Sequence, residues 1–154
     1  MNGLSFKNMQ NKTYKILLLS GGADSMLLYQ RYEYDKIIFF NYGQEHKEDE
    51  FINCKEFIDN IIELPKFAKK NKEINCRNLS FITLICSIYG DKDIEIHIGT
   101  NKEDKYKDNS RSFYDKTEEF INNISLFNVK IETPLINITK KEILKELNLP
   151  YFTD

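Results

Sequence analysis

Short unbroken apolar runs alternate along the chain with longer stretches in which apolar residues recur every three or four positions. Residues 15–19 (KILLL) form one such run, closed by Ser-Gly-Gly, the pattern of a strand buried on both faces of a parallel sheet. Residues 25–34 (SMLLYQRYEY) follow with helical spacing. Residues 36–40 (KIIFF) repeat the strand pattern and end at Asn41-Tyr42-Gly43. A helix is predicted over 45–59, with Phe51, Cys54, Phe57 and Ile58 on its inner face, then a third strand over 60–64 ended by Pro65. Residues 66–75 (KFAKKNKEIN) are polar and basic and read as a solvated loop. An apolar helix over 77–89 stops at Gly90. A fourth strand covers 93–98, and a polar loop follows over 100–110. Residues 112–127 predict an amphipathic helix with Phe120, Ile121 and Ile124 in the core. A fifth strand covers 129–132. The last helix, 139–147, opens with a capping box, Thr139-Lys140-Lys141-Glu142.

Strand and helix in alternation, with short connections and no internal repeat, predict an α/β fold, a Rossmann-like sheet of five parallel strands with helices on both faces. The chain reads as one domain over 1–154, with residues 1–13 a flexible N-terminal extension. Ligands in such folds bind beyond the carboxyl ends of the strands. The loops after Leu19, Phe40, Ile98 and Glu132 are therefore where chemistry is expected.

Composition narrows the classes. With 41% hydrophobic and 30% charged residues the chain can build a packed core, which excludes a disordered segment. A net charge of -2 gives no whole-domain footprint for nucleic acid, so direct nucleic-acid binding is not expected. No apolar run approaches the ~18 residues of a membrane span, and the N-terminus lacks a signal peptide's apolar stretch. Cys54, Cys76 and Cys86 form no CxxC pair, so neither a disulfide framework nor a zinc knuckle is indicated. The expected setting is the cytoplasm.

The most informative residues are Ser20-Gly21-Gly22-Ala23-Asp24-Ser25. They join a buried strand to a helix, where free backbone N–H groups and the positive end of the helix dipole converge on an anion. Two glycines let that anion approach the backbone. Ser20 and Ser25 add hydroxyls, and Asp24 can hold a magnesium ion bridging phosphate oxygens. The loop has neither the GK[ST] ending of a Walker A motif nor a third dinucleotide-binding glycine. The blander alternative is a glycine turn with a serine cap.

This SGGxDS string resembles the signature of the N-type ATP pyrophosphatases, the PP-loop enzymes, which cleave ATP between its α and β phosphates to adenylate a substrate oxygen. Further strings narrow the resemblance to the 7-cyano-7-deazaguanine synthases. Phe40-Asn41-Tyr42-Gly43-Gln44-Glu45-His46 is similar to their DYGQxH segment, and Cys76-Arg77-Asn78-Leu79-Ser80-Phe81 to their GRNxxF helix entry. Ile98 to Asp104 sits where the family has tGxxxxD. Tyr106 to Arg111 resembles YPDCR, and Glu132-Thr133-Pro134-Leu135 matches ETPL. Order and spacing agree over residues 15–147.

The resemblance implies ATP-dependent conversion of 7-carboxy-7-deazaguanine and ammonia to the nitrile, with ATP and magnesium required. It implies catalytic roles for Asp24 and Arg77, and ATP contacts from Leu19, Ser20, Gly21, Gly22, Asp24, Ser25, Met26, Asn41 and Gly99. Substrate contacts are expected from Tyr42, Gln44, His46, Asn78, Asp104, Asp108 and Arg111. Several of these have a plainer reading as well. His46 suits a ligand contact or a solvated helix start, Asp104 and Asp108 suit a polar surface loop, and His97 reads as a sheet residue. Arg77 opposes the dipole of the helix it opens, which favours a functional reason.

There are departures from the family pattern. Asn41 replaces its Asp, Cys76 replaces its Gly, a long insertion before Arg77 is missing, and the segment before Arg111 is longer. The family continues into a four-cysteine zinc module past the point where this sequence ends, and the three cysteines here do not match those ligands. No zinc site is expected in this chain. The last strand and the adjoining pocket should then invite a second copy, so a homodimer is expected with its interface near residues 131–154. Two alternatives stand beside the synthase: another PP-loop enzyme, modifying tRNA or forming an amide, and a truncated relative that binds nucleotide without turnover.

Overall fold

In a computed structural model the residues described are 12–20, 22–43, 55–67, 69–70 and 73–147. Strand β1 (Tyr14–Leu18) leads into helix α1 (Ala23–Arg31) and strand β2 (Lys36–Asn41). A single 3-10 turn (Lys55–Phe57) precedes β3 (Asn60–Glu63), and a small antiparallel pair, β4 (Lys69–Lys70) and β5 (Glu73–Ile74), precedes α2 (Arg77–Tyr89). Then come β6 (Ile94–Ile98), α3 (Arg111–Ile124), β7 (Val129–Glu132) and α4 (Lys140–Glu146). The main sheet has five strands in the order β3-β2-β1-β6-β7, all parallel. The chain winds outward from β1 to β3, then crosses back and winds outward the other way. The two directions part between β1 and β6, where crossover loops leave on opposite sides and open a crevice.

Two cores flank the sheet. Ile16, Leu18, Ile38, Phe40, Ile94, Ile96, Val129 and Ile131 pack on one face against Phe81, Ile82 and Ile85 of α2 and Tyr114 and Ile121 of α3. Leu17, Leu19, Ile37 and Phe39 pack on the other against Met26, Leu27 and Leu28 of α1 and Ile143 of α4. Each fully buried side chain of this size contributes roughly 1.5–3 kcal/mol, so the even and odd positions of β1 each anchor one layer. Thr139 and Glu142 form the anticipated capping box at α4, and an Arg31–Glu146 ion pair ties α4 to α1.

Four expectations are corrected. Helix α1 starts at Ala23, which brings Asp24 and Ser25 into its first turn, and stops at Arg31 because Tyr32 is already extended. Residues 66–75 carry the β4–β5 pair, and within them Phe67 stacks on Tyr42 with ring centroids 5.9 Å apart. Phe120 and Ile124 are exposed, and of the expected trio only Ile121 is buried. Of the helix expected over 45–59, residues 45–54 lie outside the described residues, as do residues 1–11 of the N-terminal extension, and the described part holds only the Lys55–Phe57 turn. Phe57 and Ile58 do pack against the α1-side core.

The last strand is not open to a partner as expected. Asn122 of α3 donates to the Val129 carbonyl (2.9 Å) and accepts from the Val129 N–H (2.8 Å). Arg111 donates to the Ile131 carbonyl (2.9 Å), and Glu118 accepts from the Ile131 N–H (3.5 Å). The side chains of one helix thus occupy the outward backbone groups of β7, an edge that would otherwise template strand addition.

On the α1 side of β6, His97 is buried between the edges of the Tyr32 and Tyr34 rings. Its Nε2 lies 2.8 Å from a Glu95 oxygen, and its Nδ1 lies 3.0 Å from the Tyr34 hydroxyl. A carboxylate only accepts, so Nε2 carries the proton and Nδ1 accepts from Tyr34, the arrangement of a neutral imidazole. This places His97 in the sheet, as its position in the strand suggested.

Burial holds the His97 pKa below its usual 6.5, outweighing the Glu95 carboxylate, which raises it. The unfolded chain therefore takes up a proton that the folded chain refuses as pH drops below 6.5. Stability should fall with pH from there down to the lowered folded pKa, with a slope of at most about 1.4 kcal/mol per pH unit from this group. Denaturant midpoints measured across that window should show the fall in the native chain and a flatter profile in His97→Gln.

Candidate active site

The crevice at the switch point is a cleft of about 250 Å³ lined by Leu19, Ser20, Asp24, Ser25, Phe40, Tyr42, Arg77, Asn78, Phe81, Gly99, Asp104, Tyr106 and Asn109, among others. The loop after β1 braces itself. Ser25, fully buried, donates to the Gly22 carbonyl and accepts from the Ser20 N–H, both at 3.2 Å. The Ser20 hydroxyl accepts from the Gly22 N–H. The two serines shape the loop instead of both pointing outward. No side chain caps α1, whose N-cap is Gly22, so the first-turn amides keep no intrahelical partner and face the cleft with the positive end of the dipole.

Asp24 is held from two sides. Asn101, buried in the loop after β6, donates from Nδ2 to one Asp24 oxygen at 2.9 Å. The other Asp24 oxygen lies 3.4 Å from the Lys140 ammonium. Asn101 is itself fixed by the Glu103 N–H, which donates to its carbonyl (2.8 Å), and Glu103 accepts from the Lys140 backbone N–H (3.2 Å). The loop after β1, the loop after β6 and the start of α4 therefore meet at one carboxylate.

The opposite wall is aromatic. Phe40 and Phe81 stack with centroids 4.4 Å apart and planes 5° from parallel, and Tyr42 leans on Phe81 at 5.5 Å. Arg77 donates to the Tyr42 hydroxyl (3.3 Å) and sits 5.9 Å from its ring. The guanidinium is thus steadied at the mouth of α2, where it can grip a carboxylate or phosphate. Such walls suit a flat heterocycle.

The structure brings together Leu19, Ser20, Asp24, Ser25, Tyr42, Arg77, Asn78, Gly99 and Asp104 at the cleft. Others stand elsewhere. Met26 is wholly buried in the α1-side core. Asn41 bonds Glu63 of β3 at 2.7 Å, at the end of β2. Asp108 turns away from the cleft to the opening of α2, its carboxylate accepting from the Asn78 N–H (3.3 Å) and its carbonyl from the Asn78 side chain (2.7 Å). Arg111 is spent on Asp115, Thr133 and the Ile131 carbonyl. Asp104 lines the cleft while bracing its loop, accepting from Thr100 (3.0 Å) and the Asn101 N–H (2.9 Å). Gly21, Gln44 and His46 lie outside the described residues. Lys140, Asn101, Tyr106 and Asn109 join the site without having been anticipated. A cation in a first helical turn marks Lys140 as it marks Arg77; nothing in the sequence marks the neutral amide of Asn101. For magnesium, Asp24 is the carboxylate in place. One carboxylate plus phosphate oxygens is a common set for that ion. Among the described residues no cluster of three or more His, Cys, Asp or Glu could hold a metal, and no helix is long and apolar enough to cross a membrane.

Two backbone features here have measurable consequences. A Cβ on Gly99 would lie 2.9 Å from both the Asp24 Cβ and the Ser25 nitrogen, too close for either to remain. Gly99→Ala should push the loop after β1 aside and weaken ATP binding by about tenfold or more, roughly 1.4 kcal/mol, as read by titration calorimetry. Cys76, the residue before α2, has φ of 59°, the left-handed region that favours glycine, and its side chain makes no cap. Relief of about 1–2 kcal/mol of strain should outweigh the roughly 0.5–1 kcal/mol that glycine's freedom costs. Cys76→Gly should raise the thermal midpoint by about 1–4 °C in a melting scan.

Comparison with known proteins assigns the chain to a family. Residues 55–151 match the family described as "Queuosine biosynthesis protein QueC". The 7-cyano-7-deazaguanine synthase of Pyrococcus furiosus is 27% identical over 188 aligned residues, covering 91% of this chain and 78% of that protein. The 7-cyano-7-deazaguanine synthases of two Rickettsia bellii strains are each 30% identical, covering 84% of this chain and 75% of theirs. Among solved structures, a Methanocaldococcus jannaschii protein described as a "predicted subunit of tRNA methyltransferase" superposes with a TM-score of 0.53 at 18% identity. That superposition covers 86% of this chain and 73% of the other, a likeness of fold. The chain belongs to the QueC family of queuosine biosynthesis proteins.

Proposed function

We propose that this chain is an ATP-dependent synthase that converts 7-carboxy-7-deazaguanine and ammonia to the 7-cyano product. The observation that carries the reading is the uncapped start of α1, with Asp24 and Lys140 beside it, facing an aromatic wall that ends in Arg77. A carboxylate oxygen of the acid attacks the α-phosphorus of ATP, and pyrophosphate leaves with the bond to the β-phosphate. Ammonia then displaces AMP to give the amide. A second ATP adenylates the amide oxygen, releasing a second pyrophosphate and one N–H proton, and loss of the remaining N–H proton and of AMP leaves the carbon–nitrogen triple bond.

The chain's own part in this is positional and electrostatic. The first-turn amides of α1 and the Lys140 ammonium meet the charge that grows on the leaving pyrophosphate, where fixed donors act most strongly. Arg77, steadied by Tyr42, orients the acid. Phe40, Tyr42, Phe81 and Tyr106 hold flat rings and exclude water, which an adenylate requires. Asp24 would hold a magnesium ion, which would neutralise part of the phosphate charge. Gly21, Gln44 and His46 are assigned to the same nucleotide and substrate contacts on the family pattern.

With ATP, magnesium, ammonium and 7-carboxy-7-deazaguanine, mass spectrometry should find the nitrile together with AMP and pyrophosphate. ADP and orthophosphate would overturn the assignment, and AMP without nitrile would point to another acid as substrate. Asp24→Asn should lower kcat by about 10²-fold or more, the cost of losing one preorganised charge contact. Its melting temperature should fall by several degrees, because the charge-assisted Asn101 and Lys140 contacts weaken, while the chain stays folded since neither core is touched.

A further inference from the structure

Asn101 is buried in the loop after β6, and every polar atom it carries has a partner. Its backbone N–H donates to the Asp104 carboxylate (2.9 Å), and its carbonyl accepts from the Asp104 N–H (3.3 Å). The side-chain oxygen accepts from the Glu103 N–H (2.8 Å), which leaves the NH2 end facing Asp24 Oδ2 at 2.9 Å. Turning the amide over would set its NH2 against an N–H and its oxygen against a carboxylate, so the orientation is fixed. The Asp24 side chain is only 14% exposed, and this bond reserves one of its two oxygens. The partner of the other oxygen is of a different kind. Lys140 reaches Oδ1 on a stem that is 47% exposed, and its ammonium stands 3.4 Å away, beyond the about 2.7–2.9 Å of a close charge-assisted bond. The neutral amide orients the carboxylate without cancelling its charge, whereas the ammonium cancels charge and fixes little direction.

We propose that Asn101 is a positioning residue that divides the Asp24 carboxylate, reserving Oδ2 and presenting Oδ1 to one cation at a time. Lys140 is that cation before nucleotide arrives, and a divalent ion displaces it. The two cannot share the oxygen. A magnesium-sized ion binds a carboxylate oxygen at about 2.0–2.1 Å, and an ammonium held at the same atom would repel it. Asn101 sets how hard the lysine competes. Without its bond, Asp24 is free to turn both oxygens to Lys140, and the divalent ion has more to displace. A displaced Lys140 is in turn available to phosphate oxygens at the start of α1, so cation exchange at Asp24 and capture of the nucleotide are coupled. The inference rests on the reading of Asp24 as the magnesium carboxylate, and it is the same whichever acid the cleft adenylates.

Manganese, which takes the same oxygen-rich octahedral sites as magnesium, can be titrated into the full chain without nucleotide and followed by loss of its free electron-spin signal. Asp24→Asn should weaken binding at least tenfold. Lys140→Gln, which removes the competitor, should tighten it at least threefold. Asn101→Ala should weaken it about tenfold, the usual cost of losing the residue that orients a metal ligand. In a Lys140→Gln background the same alanine change should cost threefold or less, because no lysine remains to be favoured. A merely structural asparagine would cost the full tenfold in both backgrounds, and that result would overturn the positioning role. Asn101→Ser, which keeps an acceptor near the Glu103 N–H but cannot reach Asp24, replaces the alanine variant if the latter fails to fold. Binding by either Asn101 variant as tight as the native chain's would also overturn the proposal. A Lys140→Gln chain that binds manganese no more tightly, while Asp24→Asn loses it, defeats the exchange and leaves the magnesium role of Asp24 standing. Native and Asp24→Asn chains that titrate alike would overturn both.

Discussion

The carboxylate of Asp24 is gripped by the Asn101 amide on one side and the Lys140 ammonium on the other, and this joint between three chain segments is what the cleft depends on. The two grips are unequal. Lys140 is about half exposed, and an ion pair of that kind contributes at most about 1 kcal/mol. The Asn101 bond is buried and charge-assisted, worth roughly 1.5–3 kcal/mol, and the amide cannot turn because Glu103 fixes its other end. The amide therefore sets the direction of the carboxylate, while the lysine is held loosely enough to transfer to an incoming phosphate. A rigid acid and a mobile base side by side fit the proposed reaction, in which the lysine would leave the carboxylate for a phosphate.

The same economy shows in what the loop after β1 does with its hydroxyls. Ser20 and Ser25 are consumed in shaping the turn, so the donors this segment offers come from the backbone of α1, beside the cations of Arg77 and Lys140. Gly99 completes the arrangement by being small: β6 ends in direct contact with Asp24 and Ser25, and a side chain there would fill the space that holds the loop. Backbone donors need no reorganisation as charge develops, which fits the proposed role of the uncapped helix start.

Much of this was legible because parallel strands buried on both faces write unbroken apolar runs. KILLL, KIIFF and IEIHIG stand out, and α2 matched its expected limits of Arg77 and Tyr89 because Gly90 closes it. The strand-to-helix junction between Ser20 and Ser25 was equally plain. What failed did so for physical reasons. Periodicity places Phe120 and Ile124 on an apolar line but cannot say whether anything covers it. Arginine at position 111 looks like a ligand residue from its type alone, and only the register of α3 against β7 turns it into an edge cap. Asn101 is invisible because a neutral amide carries no pattern. Asp108 reads as a cleft residue in a polar loop, yet it compensates the start of α2, whose own preceding residue, Cys76, offers no cap.

The capped border of β7 also bears on how the chain survives its own synthesis. An unpaired strand is most hazardous while neighbouring segments are incomplete, because its open backbone groups can recruit another nascent chain. Here Arg111, Glu118 and Asn122 leave the ribosome before Val129 and Ile131 do. Once α3 has wound, each outward amide and carbonyl of the strand finds its partner on docking, with no interval in which the border stands bare. The order of residues thus supplies a guard ahead of the thing guarded, and the sheet does not grow past β7 because the helix has already taken the bonds a next strand would need.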